Sequence, residues 1–244
     1  MLIWGARITP PLRIWLLEVR MSEKNFSYSA QSIELQRRFG TEALAAAELQ
    51  SIVHTEMTES DQSLVRGAEM FWLASVDEDG CPTVSFKGGA PGFVRVRDSK
   101  TLLFPSYDGN GMFHSMGNID ATGAIGMLFM DLERPTRLRV HGRAVLVHDE
   151  ECAALWPGAE LVVMVGIHSL VTNCPRYIPR FKRMEASRYV PNPDTGEQPL
   201  AGWKRIDALQ GVLREADQLR ALQEGELITG AQWRDLVKAG IPKA

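Results

Sequence analysis

Ser85-Phe86-Lys87 sets a hydroxyl, an aromatic ring and a cation side by side, and Gly88, Gly89 and, three residues on, Gly92 follow. Glycine lets a flat ligand or a phosphate come close to the backbone, and a lysine can neutralise an anion. The same string also suits a glycine-rich hairpin with a surface lysine. A second run, Pro105-Ser106-Tyr107-Asp108-Gly109-Asn110-Gly111-Met112-Phe113, leads from an expected strand into an expected helix. Unpaired N–H groups at a helix start attract phosphate, although any helix-entry loop would look similar. A third, Asn173-Cys174-Pro175-Arg176-Tyr177, brings a thiol, a cation and a phenol together, or forms a surface turn before Pro179. Tyr107, His114 and Cys174 are the acid–base or nucleophile candidates. Cys174 has no neighbouring base in sequence to activate it.

Several chemistries are disfavoured. Cys81, Cys152 and Cys174 form no C-x-x-C pair, and the five histidines show no ligand spacing. A disulfide framework, a zinc site and a protein-bound catalytic metal are therefore not expected. A formal net charge of -3 with no long basic run speaks against nucleic acid as the main partner. Arg7, Pro10, Pro11 and Arg13 interrupt the apolar start of the chain. Neither a membrane span nor a signal peptide is expected, and the chain reads as cytoplasmic with reduced thiols. Residues 1–20 read as an extension outside the fold, with Met21 as an alternative start. A short surface helix over Leu12–Val19 is the rival reading.

The elements that must position these residues follow from pattern. Helix formers dominate 30–54, with a break at Gly40-Thr41, and a short helix ends near Gly67. From Met70 the chain turns to strands: 70–76 and 83–87 about an Asp77–Gly80 turn, then 93–96, 101–104 and 124–131. A helix is expected over 111–119. Residues 138–147 alternate, with Leu138, Val140 and Ala144 on one face and Arg137, Arg139, His141 and Arg143 on the other. A last strand covers 160–171. Beyond the Pro191–Gly196 loop, Ile206, Leu209, Val212, Leu213, Ala216, Leu219 and Leu222 share one helical face. The domains expected are an extension (1–20), N-terminal helices (21–66), a barrel (67–190) and a C-terminal loop with helices (191–244).

Taken in order, these features resemble the FMN-binding split barrel of pyridoxamine-phosphate-oxidase-like proteins. The resemblance rests on Phe71–Val76, Asp79-Gly80, Val84–Lys87, Leu103-Phe104, Gly117–Ile119, Met127–Phe129 and Arg139–Ala144. It extends to Asn173–Ile178, which looks like the hallmark of an uncharacterised branch. It implies a mainly β fold with flanking helices, built on a six-stranded antiparallel split β-barrel, and a homodimer with FMN sites at the interface.

By that resemblance Thr83, Val84, Ser85, Phe86 and Lys87 line the flavin. Ser106 sits near the phosphate tail, with Asn110, Gly111 and Met112 in the loop before the helix. Arg137 reaches the flavin of the other subunit, and Arg176 lies near the site. Oxidases of this kind carry a basic pair in that loop, where this chain has Asn110-Gly111-Met112. The C-terminal end also lacks the Trp and Arg placement suited to a pyridoxamine-phosphate substrate. The function implied is an FMN-dependent oxidoreductase acting on an unidentified small molecule. The alternatives are a deazaflavin-dependent reductase and a non-catalytic flavin- or haem-binding sensor or carrier. Haem-binding split barrels use a histidine in a C-terminal tail, and none follows His168 here.

Overall fold

The computed structural model describes residues 26–148 and 154–241. Residues 1–20, Met21 and Cys152 lie outside the described residues. The chain divides into two compact units, 1–184 and 185–244, so the division falls after Met184, whereas the sequence pattern puts it after Val190.

In the first unit, helices α1 (Ala30–Arg38) and α2 (Glu42–Ser51) precede a short strand β1 (Val53–His54) and helix α3 (Glu59–Gly67). Strands β2 (Met70–Val76), β3 (Pro82–Gly88), β4 (Arg95–Asp98) and β5 (Thr101–Tyr107) lead to helix α4 (His114–Thr122). Strands β6 (Ala124–Asp131), β7 (Thr136–Val147) and β8 (Ala159–Asn173) complete the unit.

All the strand pairings are antiparallel, in the order β3-β2-β6-β7-β8-β5-β4, with β1 added alongside β8. The fold is the mainly β split-barrel type with flanking helices, but the expected strand count needs correcting. The sheet has eight strands and does not close, because β3 and β4 are its two ends. The two-residue β1, read from sequence as the end of a helix, is too short to show a strand period.

One core lies inside the curved sheet. Phe71 packs against Phe93, Phe104 and Phe129 with ring centroids 5.8, 5.1 and 5.2 Å apart. Leu73, Met127, Leu138 and Val140 complete it. Strand alternation sets which residues enter: in β7, Leu138, Val140 and Ala144 are buried while the intervening arginines face away. The β7–β8 register shifts after His141, where a Cβ on Gly142 would lie 2.4 Å from the Gly166 carbonyl oxygen. Only glycine fits that approach.

Helix α4 is fixed to the sheet by polar contacts as well as by buried Met116 and Ile119. Asn118 Nδ2 donates to Ser75 Oγ at 3.2 Å, and Thr122 Oγ1 donates to the Val76 carbonyl at 2.7 Å. The helix starts at His114 rather than Gly111. Asn110 Oδ1 accepts the Met112 N–H at 3.0 Å in a side-chain turn, and Phe113 takes a left-handed φ of 48°. Both hold the loop out of helical geometry.

The second unit corrects the expectation of one helix through Ile206–Leu222. The chain instead forms 3₁₀ turns at Gly202–Arg205 and Asp207–Val212, then helices α5 (Glu215–Gln223) and α6 (Gly230–Lys238). Leu213 is extended, which ends the helical path. Val212 and Leu222 are 80% and 64% exposed. What α5 buries is Asp217 and Ala221, and Asp217 Oδ2 accepts from Lys204 Nζ at 3.0 Å and from Arg214 Nε at 3.1 Å.

Candidate functional site

Strand β3 is an edge strand with two unlike faces. Thr83, Ser85 and Lys87 stand opposite Ser75, Leu73 and Phe71, so they share the core-side face. Val84 and Phe86 stand opposite Ala74 and Trp72 on the other face, where they are 65% and 61% exposed. A cavity of about 390 Å³ opens between β3, the end of β5, the loop 108–113 and the first turn of α4. That volume lies in the range of small-molecule and cofactor sites.

Some polar groups of this cavity lack partners among the described residues, whereas Ser85, Asn110 and Ser115 are hydrogen-bonded. Lys87 makes no ion pair or hydrogen bond among the described residues, and burial pushes its pKa below the ordinary lysine value. Ser106 is 9% exposed and lines the cavity with a hydroxyl that finds no partner among the described residues. Phe113 caps α4 without a side-chain hydrogen bond, so the helix meets the cavity with uncapped N–H groups. Ser115 Oγ donates to Ser85 Oγ at 2.9 Å and braces the first turn of α4 on β3. Tyr107 also faces the cavity. Burial raises its pKa, the Arg95 charge pulls the other way, and the phenol stays protonated at neutral pH. Glu160 of β8 supplies the one carboxylate of the lining.

The structure thus brings together Thr83, Ser85, Phe86, Lys87, Ser106, Asn110, Gly111 and Met112 from the residues named from sequence. Val84 is not in the lining, although Phe86, on the same face of β3, does line it. Arg137 lies on the outer face of β7, between Met130 of β6 and Asn173 of β8, with a buried Nε that has no hydrogen-bond partner among the described residues. Arg176 follows β8, exposed and away from the lining. Tyr107 and His114 are at the cavity, whereas Cys174 is exposed and not part of it.

Gly88 and Gly89 do not line the cavity either. A Cβ on Gly89 would stand 2.4 Å from Cγ of Phe93, so this glycine makes room for a core ring rather than for a ligand. Sequence pattern alone missed Ser115, Met116 and Glu160 in the lining. Ser115 carried one usable signal, a hydroxyl in the first turn of a helix that follows a glycine-bearing loop.

The donor set fits a phosphate-bearing ligand: one cation without a partner, several hydroxyls and a free helix start. Among the described residues no cluster of three or more His, Cys, Asp or Glu side chains could hold a metal. No helix among them is long and apolar enough to cross a membrane.

Residues 57–177, which carry β2 to β8 and the cavity, match the family described as Pyridoxamine 5'-phosphate oxidase. This segment belongs to the pyridoxamine 5'-phosphate oxidase-like family. No curated protein matches the chain. Among solved structures, HupZ of Group A Streptococcus is similar at 20% identity over 52% of this chain and 99% of that one, with a TM-score of 0.40. An FMN-binding protein from Syntrophomonas wolfei is similar at 11% identity over 58% and 97%, with a TM-score of 0.35. HutZ, the haem-storage protein of Vibrio cholerae, is similar at 12% identity over 48% and 95%, with a TM-score of 0.35. Two of these names carry a ligand, FMN in one and haem in the other, so the likenesses select no ligand for this chain.

Proposed function

We propose that the chain binds FMN in the cavity between β3 and α4 and works as an oxidoreductase on a small molecule. One observation carries this reading: Lys87, half-buried and without an ion pair or hydrogen bond among the described residues, faces a cavity into which the Ser106 hydroxyl and the uncapped start of α4 also open. Burying an ammonium without a counter-ion is costly. An anionic group on the ligand offsets that cost, and the free N–H groups of α4 add to its hold. FMN supplies the electron transfer when bound, and the protein supplies position and electrostatics. The residues of this chain bind and orient: Lys87 neutralises, Ser106 donates, and Ser85 and Ser115 fix the wall. Tyr107, a phenol that burial makes a weaker acid, is the hydroxyl donor at the end of β5 in the cavity.

The partner proposed is a second copy of the chain. Val84 and Phe86 leave an exposed apolar patch on the outer face of β3, and Trp72 packs edge-on to Phe86 at 6.4 Å. Arg137, on the same outer face, stands outside its own chain's cavity and serves the flavin of that second copy.

The test is titration of the purified protein with FMN, followed by flavin fluorescence and by the absorption spectrum. Saturable quenching with a shifted flavin band is expected. A spectrum of bound haem or deazaflavin, or no quenching at any concentration, overturns the assignment.

A further inference from the structure

We infer that the helix pair α1–α2 of one copy covers the outer face of strands β2 and β3 of a second copy. The inference rests on the second-copy reading above and names the segment that makes the contact. Helix α1 has 9 residues and α2 has 10, and neither buries a residue. Isolated helices shorter than about 12–15 residues are marginal in water, and packing of an apolar face is what holds them. In α2, residues 43–47 read Ala-Leu-Ala-Ala-Ala, an apolar run longer than one full turn. A helix apolar on every side belongs in an interior. Yet Leu44 of α2 is 60% exposed, and Phe39, between the helices, is 71% exposed. The chain therefore carries two uncovered apolar surfaces, this helix pair and the outer face of the β2–β3 hairpin at Val84 and Phe86.

Where these surfaces lie on the sheet decides the occupant. The helix pair is tied at both ends to the β7–β8 half. Phe26, ahead of α1, stacks on His141 of the outer face of β7 with ring centroids 5.9 Å apart, and β1, after α2, pairs with β8. Tyr28 Oη donates to the Ala45 carbonyl at 3.0 Å and ties the start of α1 to α2. The bare half of the same face is β2–β3, on the other side of β6. When two copies meet outer face to outer face about a two-fold axis along the strands, their strand orders run in opposite directions. Each helix pair then lies over the other copy's β2–β3, and the contact occurs twice. The same rotation carries Arg137 of β7 toward β3 of the other copy, as the shared flavin site requires. Charge fits this docking. Arg37 is taken by Glu42 at 3.2 Å, but Arg38, at the tip of the helix pair, makes no ion pair among the described residues. Glu78 and Asp79, at the tip of the β2–β3 hairpin, make none either. The helix pair as a whole carries three carboxylates and two guanidiniums, so apolar burial drives the docking and the charges at the two tips set its register.

Leu44 and Val84 are exposed and outside the cavity lining, so they test the contact without touching the flavin contacts. Sedimentation velocity over a concentration series should show the dimer dissociation constant raised about tenfold or more by Leu44→Asp and by Val84→Asp. In both variants hydrogen exchange over residues 30–51 should quicken, because the helices lose their cover, while exchange over residues 70–131 stays as in wild type. The contact itself is trapped in a chain whose Cys81, Cys152 and Cys174 are replaced by Ser. Leu44→Cys and Val84→Cys are placed in separate copies, co-expressed and treated with a bis-maleimide. Each copy then holds one thiol, so a cross-link between the peptides around 44 and 84 joins two copies, and mass analysis should find it. Dimers that form without that cross-link, or that either Asp variant leaves at wild-type affinity, overturn this contact and leave the second-copy reading standing. A chain that stays monomeric at every concentration overturns both.

Discussion

Ser115 Oγ donates a hydrogen bond of 2.9 Å to Ser85 Oγ, joining the first turn of α4 to an edge strand that has a hydrogen-bonded neighbour on one side only. Both residues line the cavity, so the bond serves the fold and the site together. Ser115 is 8% exposed. Ser115→Ala should lower stability by about 1 kcal/mol, the net worth of one such bond. It should also weaken FMN binding, because the helix start is less firmly aimed. Urea denaturation should show a lower midpoint at an unchanged slope. An unchanged midpoint would mean the bond contributes nothing.

Lys87 makes the opposite kind of prediction, a residue that costs stability in the free protein. Its pKa in the fold lies below the ordinary lysine value of about 10.4 because burial penalises the ammonium. Between the lowered folded value and the ordinary one, the unfolded chain holds more protons than the native one. Stability therefore rises with pH across that window, and the penalty is fully present below the folded value. Lys87→Met should stabilise the free protein at pH 7.5, and the gain should fade as the pH passes about 10.4. The same change should weaken FMN by about 1–3 kcal/mol. Parallel denaturation curves for the two proteins at pH 7.5 and 10.5 check it. A variant no more stable at pH 7.5 would show that the ammonium is well solvated.

The contrast between these residues shows what the sequence disclosed. The β2–β3 hairpin was legible because Asp77–Gly80 combines a side-chain acceptor with a glycine at φ 83°. The alternation in β7 was legible because Leu138, Val140 and Ala144 lie at strand period. The same period puts Thr83, Ser85 and Lys87 on the core-side face of β3, and within 83–87 only Val84 stays out of the lining. The start of α4 was misplaced because an Asn110 side-chain turn leaves no periodic mark. In the second unit, apolar spacing pointed to one long helix. Lys204 would ordinarily be read as a surface lysine, yet it is 1% exposed and holds the unit's polar centre. Burial of a charge depends on a partner distant in sequence, and periodicity does not carry that information.

That polar centre is itself testable. Burial works against ionisation of Asp217, but the hydrogen bonds and charges of Lys204 and Arg214 outweigh it and hold the carboxyl below its usual range. The stabilisation is present above the ordinary aspartate value, about 3.9, and is lost as the pH falls through the lowered one. Asp217→Asn removes the carboxylate that accepts from buried Lys204, at a cost of about 3–5 kcal/mol. Hydrogen exchange over residues 185–241 should speed up in the variant at neutral pH. Wild type should show the same change only in strong acid. Unaltered exchange in the variant would show that Lys204 is satisfied without Asp217.

Arg137 tests the proposal that each flavin site is shared between two copies. It lies on β7, reached from β3 through β2 and β6, and on the outer face of the sheet, whereas Lys87 faces inward. Its Nε is buried without a hydrogen-bond partner among the described residues, and a guanidinium can give two parallel hydrogen bonds to a phosphate or a carbonyl-bearing ring. If Arg137 serves the neighbour's flavin, cofactor binding and dimerisation are linked by mass action. Arg137→Ala should then lower FMN affinity without unfolding the sheet. A mixed dimer separates the two geometries, with Arg137→Ala in one subunit and Lys87→Ala in the other. A shared site draws its lysine from one subunit and its arginine from the other, so one site carries both defects and the other neither. Half of the binding capacity should return at wild-type affinity. If each chain instead builds its own site, every site carries one defect and no fraction binds at wild-type affinity, which would sink the shared-site arrangement.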